Sequence, residues 1–216
     1  TKAESLLPIK YSSVERVTIN KAVATAFLAR VYLNLEDWTN AARKATTVIE
    51  NPDYVWVNNP ELEFLRQSTA TIWSLHPGTA GLNTKDASTF IFSSAPPSKP
   101  SLSETFVGAF ETGDLRRTYW VRAITKAPRI WYHSYKYKRT LGTPTSEEYT
   151  ILFRLAEQYL IRAEAFAHLN NIVGAQSDVN KIRTRAGLIP TTVDTEEDLL
   201  QVIAKERRFE FFTEQG

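Results

Sequence analysis

Proline is concentrated in the middle of this chain, and its distribution constrains the fold more than any other sequence feature. Eight of the ten prolines lie between Pro52 and Pro144. Helix interiors exclude proline because it has no N–H to donate and its ring clashes with the preceding turn. The same stretch holds 14 of the 25 aromatic residues, which a disordered linker would lack. The middle of the chain is therefore predicted to be rich in loops and short strands, yet packed.

Both flanking thirds carry the i, i+3, i+4 spacing of apolar and small residues that is typical of helices. Cap residues indicate where these helices begin, and Gly187 can adopt the left-handed conformation that ends one of them. The predicted helices are Lys21 to Leu35, Asp37 to Ile49, Thr145 (in a capping box with Glu148) to Leu169, Asn171 to Arg185, and Thr195 to Phe212.

The two flanks repeat each other at a shift of 134 residues without a gap. Small residues, an aromatic, a leucine and a cap recur in the same order, which is typical of tetratricopeptide-type helical hairpins. The prediction is an all-α fold of tetratricopeptide-like hairpins with a long irregular insertion: a hairpin in 1–52, the insertion in 53–146, and a hairpin plus a C-terminal helix in 147–216. The matched residues are Ala29, Tyr32, Leu35, Asp37, Trp38, Ala41 and Val48 with Ala163, Phe166, Leu169, Asn171, Ile172, Ala175 and Ile182.

Composition excludes several classes of function. The 26 Lys and Arg against 24 Asp and Glu leave a net charge of +2, too small for broad attraction to nucleic acid or anionic lipid. There is no cysteine, and the three histidines stand too far apart for a zinc helix. Phosphate-binding loops, nucleophile elbows and kinase signatures are absent from the sequence. We therefore expect no cofactor, no metal and no nucleic-acid partner.

Aromatic side chains of the middle segment are the best candidates for ligand binding. Their flat faces stack on sugar rings while neighbouring polar groups bond the hydroxyls. The alternative is that these rings fill the core, as large aromatics commonly do. The candidate glycan-binding residues are Tyr54, Trp56, Asn58, Tyr119, Trp120 and Trp131.

Carboxylates offer a second, competing interpretation. Glu104, Glu111 and Asp114 lie in or beside the aromatic segment and could form an acid–base pair. A solvated turn at Glu111–Asp114 is the structural alternative. Similarly, Arg183 and Arg185 are expected near Glu157, either as a substrate clamp or as a structural ion pair between helices.

Several runs, taken together, point to one family. They are KAVATAFLARVYL from Lys21 with Asp37 and Trp38, GDLRR from Gly113, YKY from Tyr135, RLAEQYLIRAEA from Arg154, DVNKIRTRAGL from Asp178, and LLQVIAKERRFEF from Leu199. In order and spacing they resemble the SusD/RagB family over nearly the whole chain. The resemblance implies a longer protein, of which the N-terminal part and the extreme C-terminus lie outside this sequence.

The resemblance also implies a function. Members of that family are surface lipoproteins of the outer membrane that bind glycans without cleaving them. They deliver oligosaccharides to a SusC-like TonB-dependent transporter. Membrane association is expected only through a lipid anchor on the absent N-terminal part. The competing hypotheses are a tetratricopeptide adaptor that binds a peptide and an α-helical glycoside hydrolase.

Overall fold

The structure is a computed structural model, and it describes residues 2–214 apart from the side chain of Ala3. In these residues nine α-helices alternate with four strands and one short 3-10 helix at Pro60–Leu62. The helices are α1 (Lys2–Leu6), α2 (Lys21–Asn34), α3 (Trp38–Ile49), α4 (Lys85–Phe90), α5 (Glu104–Gly108), α6 (Leu115–Trp120), α7 (Leu155–His168), α8 (Ile172–Arg185) and α9 (Glu196–Phe211). The strands are β1 (Thr71–Leu75), β2 (Val121–Lys126), β3 (Arg129–Ser134) and β4 (Thr150–Arg154).

Two helical hairpins, α2–α3 and α7–α8, form the frame of the fold. They meet where α3 packs on α7, and α9 then packs on both α7 and α8. The seam between the hairpins is lined with alanines, which allow the helices to approach closely. Its buried residues are Ala29, Ala41, Ala42, Ala45, Ile161 and Ala165.

The turns of the two hairpins have the same hydrogen bonds at the predicted 134-residue shift. Glu36 and Asn170 both have φ of 57°. The Asp37 N–H donates to Tyr32 O at 2.9 Å, and its counterpart, the Asn171 N–H, donates to Phe166 O at 2.8 Å. Asp37 and Asn171 then cap the following helices by accepting a backbone N–H at 3.1 Å in each case. The sequence repeat is therefore a structural repeat at both turns.

Two antiparallel two-stranded sheets, β1–β4 and β2–β3, contradict the all-α prediction. The helix predicted from Thr145 is wrong up to Arg154, because residues 150–154 form β4 and α7 begins only at Leu155. The β-branched and aromatic residues Thr150, Ile151 and Phe153 favour a strand, and β1 supplies its partner. Since β1 belongs to the middle segment, this sheet ties that segment to the start of α7.

The middle segment is packed, as its aromatic content predicted. It has a buried cluster of its own, consisting of Phe64, Ala87, Trp120, Tyr137 and Ile151. The ring of Phe64 meets Trp120 at 5.3 Å and Tyr137 at 5.1 Å, both edge-on. The irregular backbone is therefore held by aromatic packing against β4 rather than by long regular elements.

The cap of α8 provides a test of the hairpin turn. Asn171→Ala removes the acceptor for the Gly174 N–H, and we expect a loss of about 1 kcal/mol in the free energy of unfolding measured with urea. Val173→Ala, at a residue that is 77% exposed in the same turn, serves as the control and should change stability by less than about 0.5 kcal/mol. Equal effects of the two substitutions would contradict the role of the cap.

Candidate functional site

A cluster of buried charges lies between the middle segment and helices α6 to α9. We call it the charge cluster; its members are Glu63, Asp114, Arg116, Arg154, Arg185, Glu206 and Glu210. Their side chains are at most 2% exposed. Every member has an opposite charge within ion-pair distance, which is the condition under which buried charges are tolerated.

Arginines connect the cluster across the fold. Arg116 donates to Asp114 at 2.8 Å and forms an ion pair with Glu206 at 2.7 Å. Arg185 on α8 reaches Glu63 of the middle segment at 3.1 Å and also pairs with Glu210 of α9. Arg154, at the end of β4, pairs with the same Glu210.

The cations of the cluster keep the carboxylate of Glu210 ionised. Burial alone would raise the pKa of Glu210, but the guanidinium groups of Arg185, Arg154 and Arg116 hold it well below its ordinary value. At the edge of the cluster, Arg183 bonds Glu111 at 2.9 Å and Glu206 at 2.7 Å. Lys136 is also buried there, and burial lowers its pKa to about 8.

A groove of about 610 Å³ opens where the middle segment meets α8. Trp56 forms part of it, and its ring is half-buried. The Arg185 guanidinium carbon lies 4.5 Å from the centre of that ring, and Tyr159 packs edge-on at 5.2 Å. The charge cluster therefore positions Trp56 through Arg185. The groove is lined by Trp56, Asn58, Ser177, Asn180, Lys181, Thr184, Arg185 and Pro190.

Polar groups surround the ring of Trp56 in this groove. The side chains of Asn58, Ser177 and Thr184 are exposed, and none of them has a hydrogen-bond partner within residues 2–214. The ammonium of Lys181 lies 5.7 Å from the ring centre of Trp56. Asn180 is already engaged, since it bonds the backbone of Thr191 at 2.7 and 3.0 Å. The groove thus combines one aromatic face with uncommitted donors and acceptors.

The structure distributes the six candidate aromatic-segment residues among different environments. Trp56 and Asn58 line the groove, and Trp131 is partly exposed on β3. Tyr119 is half-buried and packs against the buried cluster that contains Phe64. Tyr54 is 5% and Trp120 is 1% exposed. Each of these two buried residues has an internal hydrogen bond: Tyr54 to the Tyr11 hydroxyl at 2.5 Å, and Trp120 to Pro60 O at 2.9 Å. Their rings serve packing.

The three candidate acid–base carboxylates, Glu104, Glu111 and Asp114, lie in different environments. Glu111 is bonded by Arg183 and Lys205, which hold its pKa down at about 2 although partial burial acts in the opposite sense. Asp114 is buried against Arg116, and Glu104 is exposed. A general acid needs a raised pKa, so the environment of Glu111 favours a structural role.

The expected ion pair of Glu157 with Arg183 or Arg185 is not formed. Glu157 pairs with Arg30 of α2, at 2.5 Å, because α7 faces α2 across the sheet-linked core. The two arginines instead reach the middle segment and α9. Helical periodicity gives the face on which a charge lies, but the partner depends on which helix covers that face.

Sequence reasoning missed the contribution of α8 to the groove. Ser177, Asn180, Lys181 and Thr184 follow the i, i+3, i+4, i+7 spacing of a single helix face. That polar stripe was the only sequence feature that pointed to this side of the groove. It does not by itself predict binding, because most surface helices have a polar face toward solvent.

Within residues 2–214, no group of three or more His, Asp or Glu is arranged to hold a metal ion. None of the helices in this range has the length and apolar character needed to cross a bilayer.

Comparison with known proteins gives a consistent result. The profile of the SusD family matches residues 103–216. Among solved structures, a SusD-like carbohydrate binding protein from Bacteroides vulgatus has a TM-score of 0.77 at 23% identity, over 99% of this chain and 47% of that one. A SusD superfamily protein from Parabacteroides distasonis has a TM-score of 0.79 at 18% identity, over 97% and 53%.

A third solved structure, the surface glycan-binding protein A from Bacteroides uniformis, has a TM-score of 0.74 at 21% identity, over 98% of this chain and 52% of that one. The present chain thus spans about half the length of the structures it resembles. No curated protein sequence matches it significantly.

The charge cluster should be much more sensitive to loss of one partner than an exposed ion pair. Arg154→Gln leaves Glu210 with one fewer buried cation, and we expect it to lower the free energy of unfolding by about 3–5 kcal/mol. Arg139→Gln breaks the exposed pair with Glu147, whose side chains are 49% and 37% exposed, and should cost less than about 1 kcal/mol. Urea unfolding of both variants tests this difference, and similar losses would contradict it.

Acid should destabilise the fold through the paired carboxylates. A group whose pKa is lowered on folding stabilises the protein above its unfolded pKa, and this contribution is lost as the pH falls toward the folded value. For Glu111 the window runs from 4.5 to about 2, and Glu210 acts in the same sense. Burial raises the pKa of Glu148 and Asp178, which act oppositely.

We therefore expect the free energy of unfolding to fall between pH 4.5 and pH 3, and Glu111→Gln to flatten that dependence. Glu104→Gln, at an exposed residue without an ion pair among the described residues, is the control and should leave the slope as it is. Urea titrations at several pH values measure the slope. A Glu111→Gln variant with the slope of the unsubstituted protein would refute the assignment.

Proposed function

The chain belongs to the SusD family, and from this premise we propose that the protein binds carbohydrate without cleaving it. The observation that carries the proposal is the groove beside α8, where the face of Trp56 is combined with uncommitted polar side chains. A sugar ring needs such a combination, because its C–H face packs on an aromatic ring while its hydroxyls need hydrogen bonds.

Trp56 and Asn58 are the proposed core of this site, together with Ser177, Lys181 and Thr184. Trp56 supplies a rigid platform, since Arg185 and Tyr159 fix its ring from the protein side. Asn58 can donate and accept, and the hydroxyls of Ser177 and Thr184 can do the same. Trp131 and Tyr119, which lie outside the lining of the groove, are proposed as further contacts for a glycan at other parts of the surface. Tyr54 and Trp120 support the site from the core.

Binding without cleavage is supported by the placement of the acidic candidates. Glu111 and Asp114 are engaged by Arg183 and Arg116. Glycosidases need two carboxyl groups facing each other across the scissile bond. Release of shorter products from an oligosaccharide incubated with the protein would favour the hydrolase alternative instead.

We further propose that α2–α3 and α7–α8 are tetratricopeptide-like hairpins. The shared turn geometry and the alanine-lined seam support this. We propose that the whole protein acts at the outer-membrane surface as a lipoprotein and delivers oligosaccharides to a SusC-like TonB-dependent transporter. Similarity to proteins named as surface glycan-binding supports a surface location.

Tryptophan fluorescence with a panel of oligosaccharides tests the groove. A glycan that binds should shift the emission. Trp56→Ala should weaken binding about tenfold or more, because loss of a stacked ring and of its buried area costs about 1.4 kcal/mol or more. Phe27→Ala removes a 52% exposed ring elsewhere and is the matched control. Lys181→Gln and Thr184→Val, which change only exposed polar groups, should weaken binding by about two- to fivefold with the fold intact. If Trp56→Ala, Lys181→Gln and Thr184→Val all bind like the unsubstituted protein, the groove is not the site.

A further inference from the structure

The stretch from Leu115 to Ser146 has a charge balance unlike that of the whole chain. It contains eight Lys and Arg and no Asp or Glu, whereas the chain as a whole has 26 against 24. Arg116 and Lys136 are buried in ion pairs. Lys138 and Arg139 pair with Glu61 and Glu147, which lie outside this stretch. The four remaining cations lie in α6 and the β2–β3 hairpin, and the three in the hairpin are exposed.

Pairing of β2 with β3 places three of these cations on one face of the hairpin. Arg122 pairs with His133, Ile124 with Trp131, and Lys126 with Arg129. Directly paired residues of antiparallel strands share a face, and so do residues two apart along a strand. Trp131 therefore lies between Arg122 and the Lys126–Arg129 pair. We call this the basic face: Arg122, Lys126, Arg129 and Trp131.

Lys126 and Arg129 stand directly opposite each other, which is an unfavourable arrangement for two like charges. Both are exposed, and no carboxylate of residues 2–214 lies within ion-pair distance of either. Packing does not require charge at such exposed positions. An anion bound between the two side chains would relieve their repulsion.

Arg122 is fixed at the base of the same face. Its Nη1 donates to Thr118 O at 2.6 Å, and its guanidinium carbon lies 4.7 Å from the centre of the Tyr135 ring. It too has no ion pair with a carboxylate in the part of the chain that the structure describes. An arginine held in place in this way loses little freedom when it binds a carboxylate or sulfate.

His133, which pairs with Arg122 across the hairpin, lies close to positive charges. Burial lowers the pKa of its imidazole, although a hydrogen bond with Ser134 O acts in the opposite sense. The two charges that act on the ring, Arg122 and Lys99, are both positive and lower the pKa further. The ammonium of Lys99 is bound by the carbonyls of Ser88 and Ile91, at 2.6 and 2.8 Å, so a fourth cation is fixed beside the basic face.

We propose that the basic face binds a polysaccharide chain that carries carboxylate or sulfate groups. The proposal rests on carbohydrate binding as the function, to which it adds a second surface and a charge class. The ring of Trp131 provides a stacking platform for a sugar, and the cations on either side can pair with acidic groups of the same polysaccharide chain. A stacking ring between cations favours a glycan over a lipid surface, which offers no ring to stack.

The experiment compares polymers with the same sugar backbone and different charge. Binding of the protein to polygalacturonate is measured by isothermal calorimetry against its methyl-esterified form, and binding to dextran sulfate against dextran. We expect the charged polymer of at least one pair to bind about tenfold more tightly. This preference should shrink as the salt concentration rises from about 0.05 M to about 0.5 M, because salt screens exposed charges.

Two double variants locate the surface. Lys126→Gln with Arg129→Gln should weaken binding of the charged polymer about five- to tenfold and leave the groove untouched. Lys10→Gln with Lys21→Gln makes the same change of charge at two exposed lysines outside the hairpin and should leave the affinity within about twofold of the unsubstituted protein.

Each remaining outcome overturns the inference. If charged and uncharged polymers bind equally, carbohydrate binding stands and the basic face has no role. If both double variants weaken binding equally, the preference is a property of overall charge. If an oligothymidylate or a vesicle of anionic phospholipid binds as tightly as the charged polysaccharide, the face is a general polyanion surface. If no polysaccharide binds at all, the proposed function fails together with it.

Discussion

The buried charge cluster is the interaction on which the rest of the structure depends. Glu210 of α9 holds Arg154 at the end of β4 and Arg185 of α8, while Arg185 also reaches Glu63 in the middle segment. Removing any one of these groups leaves an opposite charge in a medium that solvates it poorly. Because the network joins the irregular part of the chain to three regular elements, it fixes a segment whose prolines keep it from forming long helices.

The same network shapes the groove in which we propose that carbohydrate binds. Arg185 belongs to the charge cluster on one side and lies against Trp56 on the other. The ring of Trp56 is held from below by a guanidinium group and by Tyr159. It is therefore rigid before any ligand binds, and such preorganisation reduces the cost of binding. Stability and proposed function therefore share Arg185. The hairpin that carries Trp131 differs, since its cations are exposed and lack carboxylate partners among the described residues.

Much of the helical frame followed from local rules. Periodicity and caps predicted α2, α3, α8 and α9, and the repeat predicted the two matching turns at Glu36 and Asn170. The failure at residues 145–154 is instructive. Thr145 and Glu148 satisfy the local pattern of a capping box, but Thr150 to Arg154 pair with β1, a strand about 75 residues earlier. The local pattern of residues 145–154 cannot show that a distant segment will pair with them, because hydrophobic periodicity describes only neighbouring residues.

The sequence by itself determined where long helices could form, where proline limits helices to short ones, and which residue types were available for binding a sugar. These properties depend on φ restrictions, cap hydrogen bonds and side-chain chemistry, which act within a few residues of each other. Only the tertiary structure decided which aromatic rings reach the surface: Trp120 is buried under Phe64, while Trp56 meets the polar face of α8. Exposure and ion-pair partners depend on which distant element covers a residue, and that is settled only when the whole chain packs.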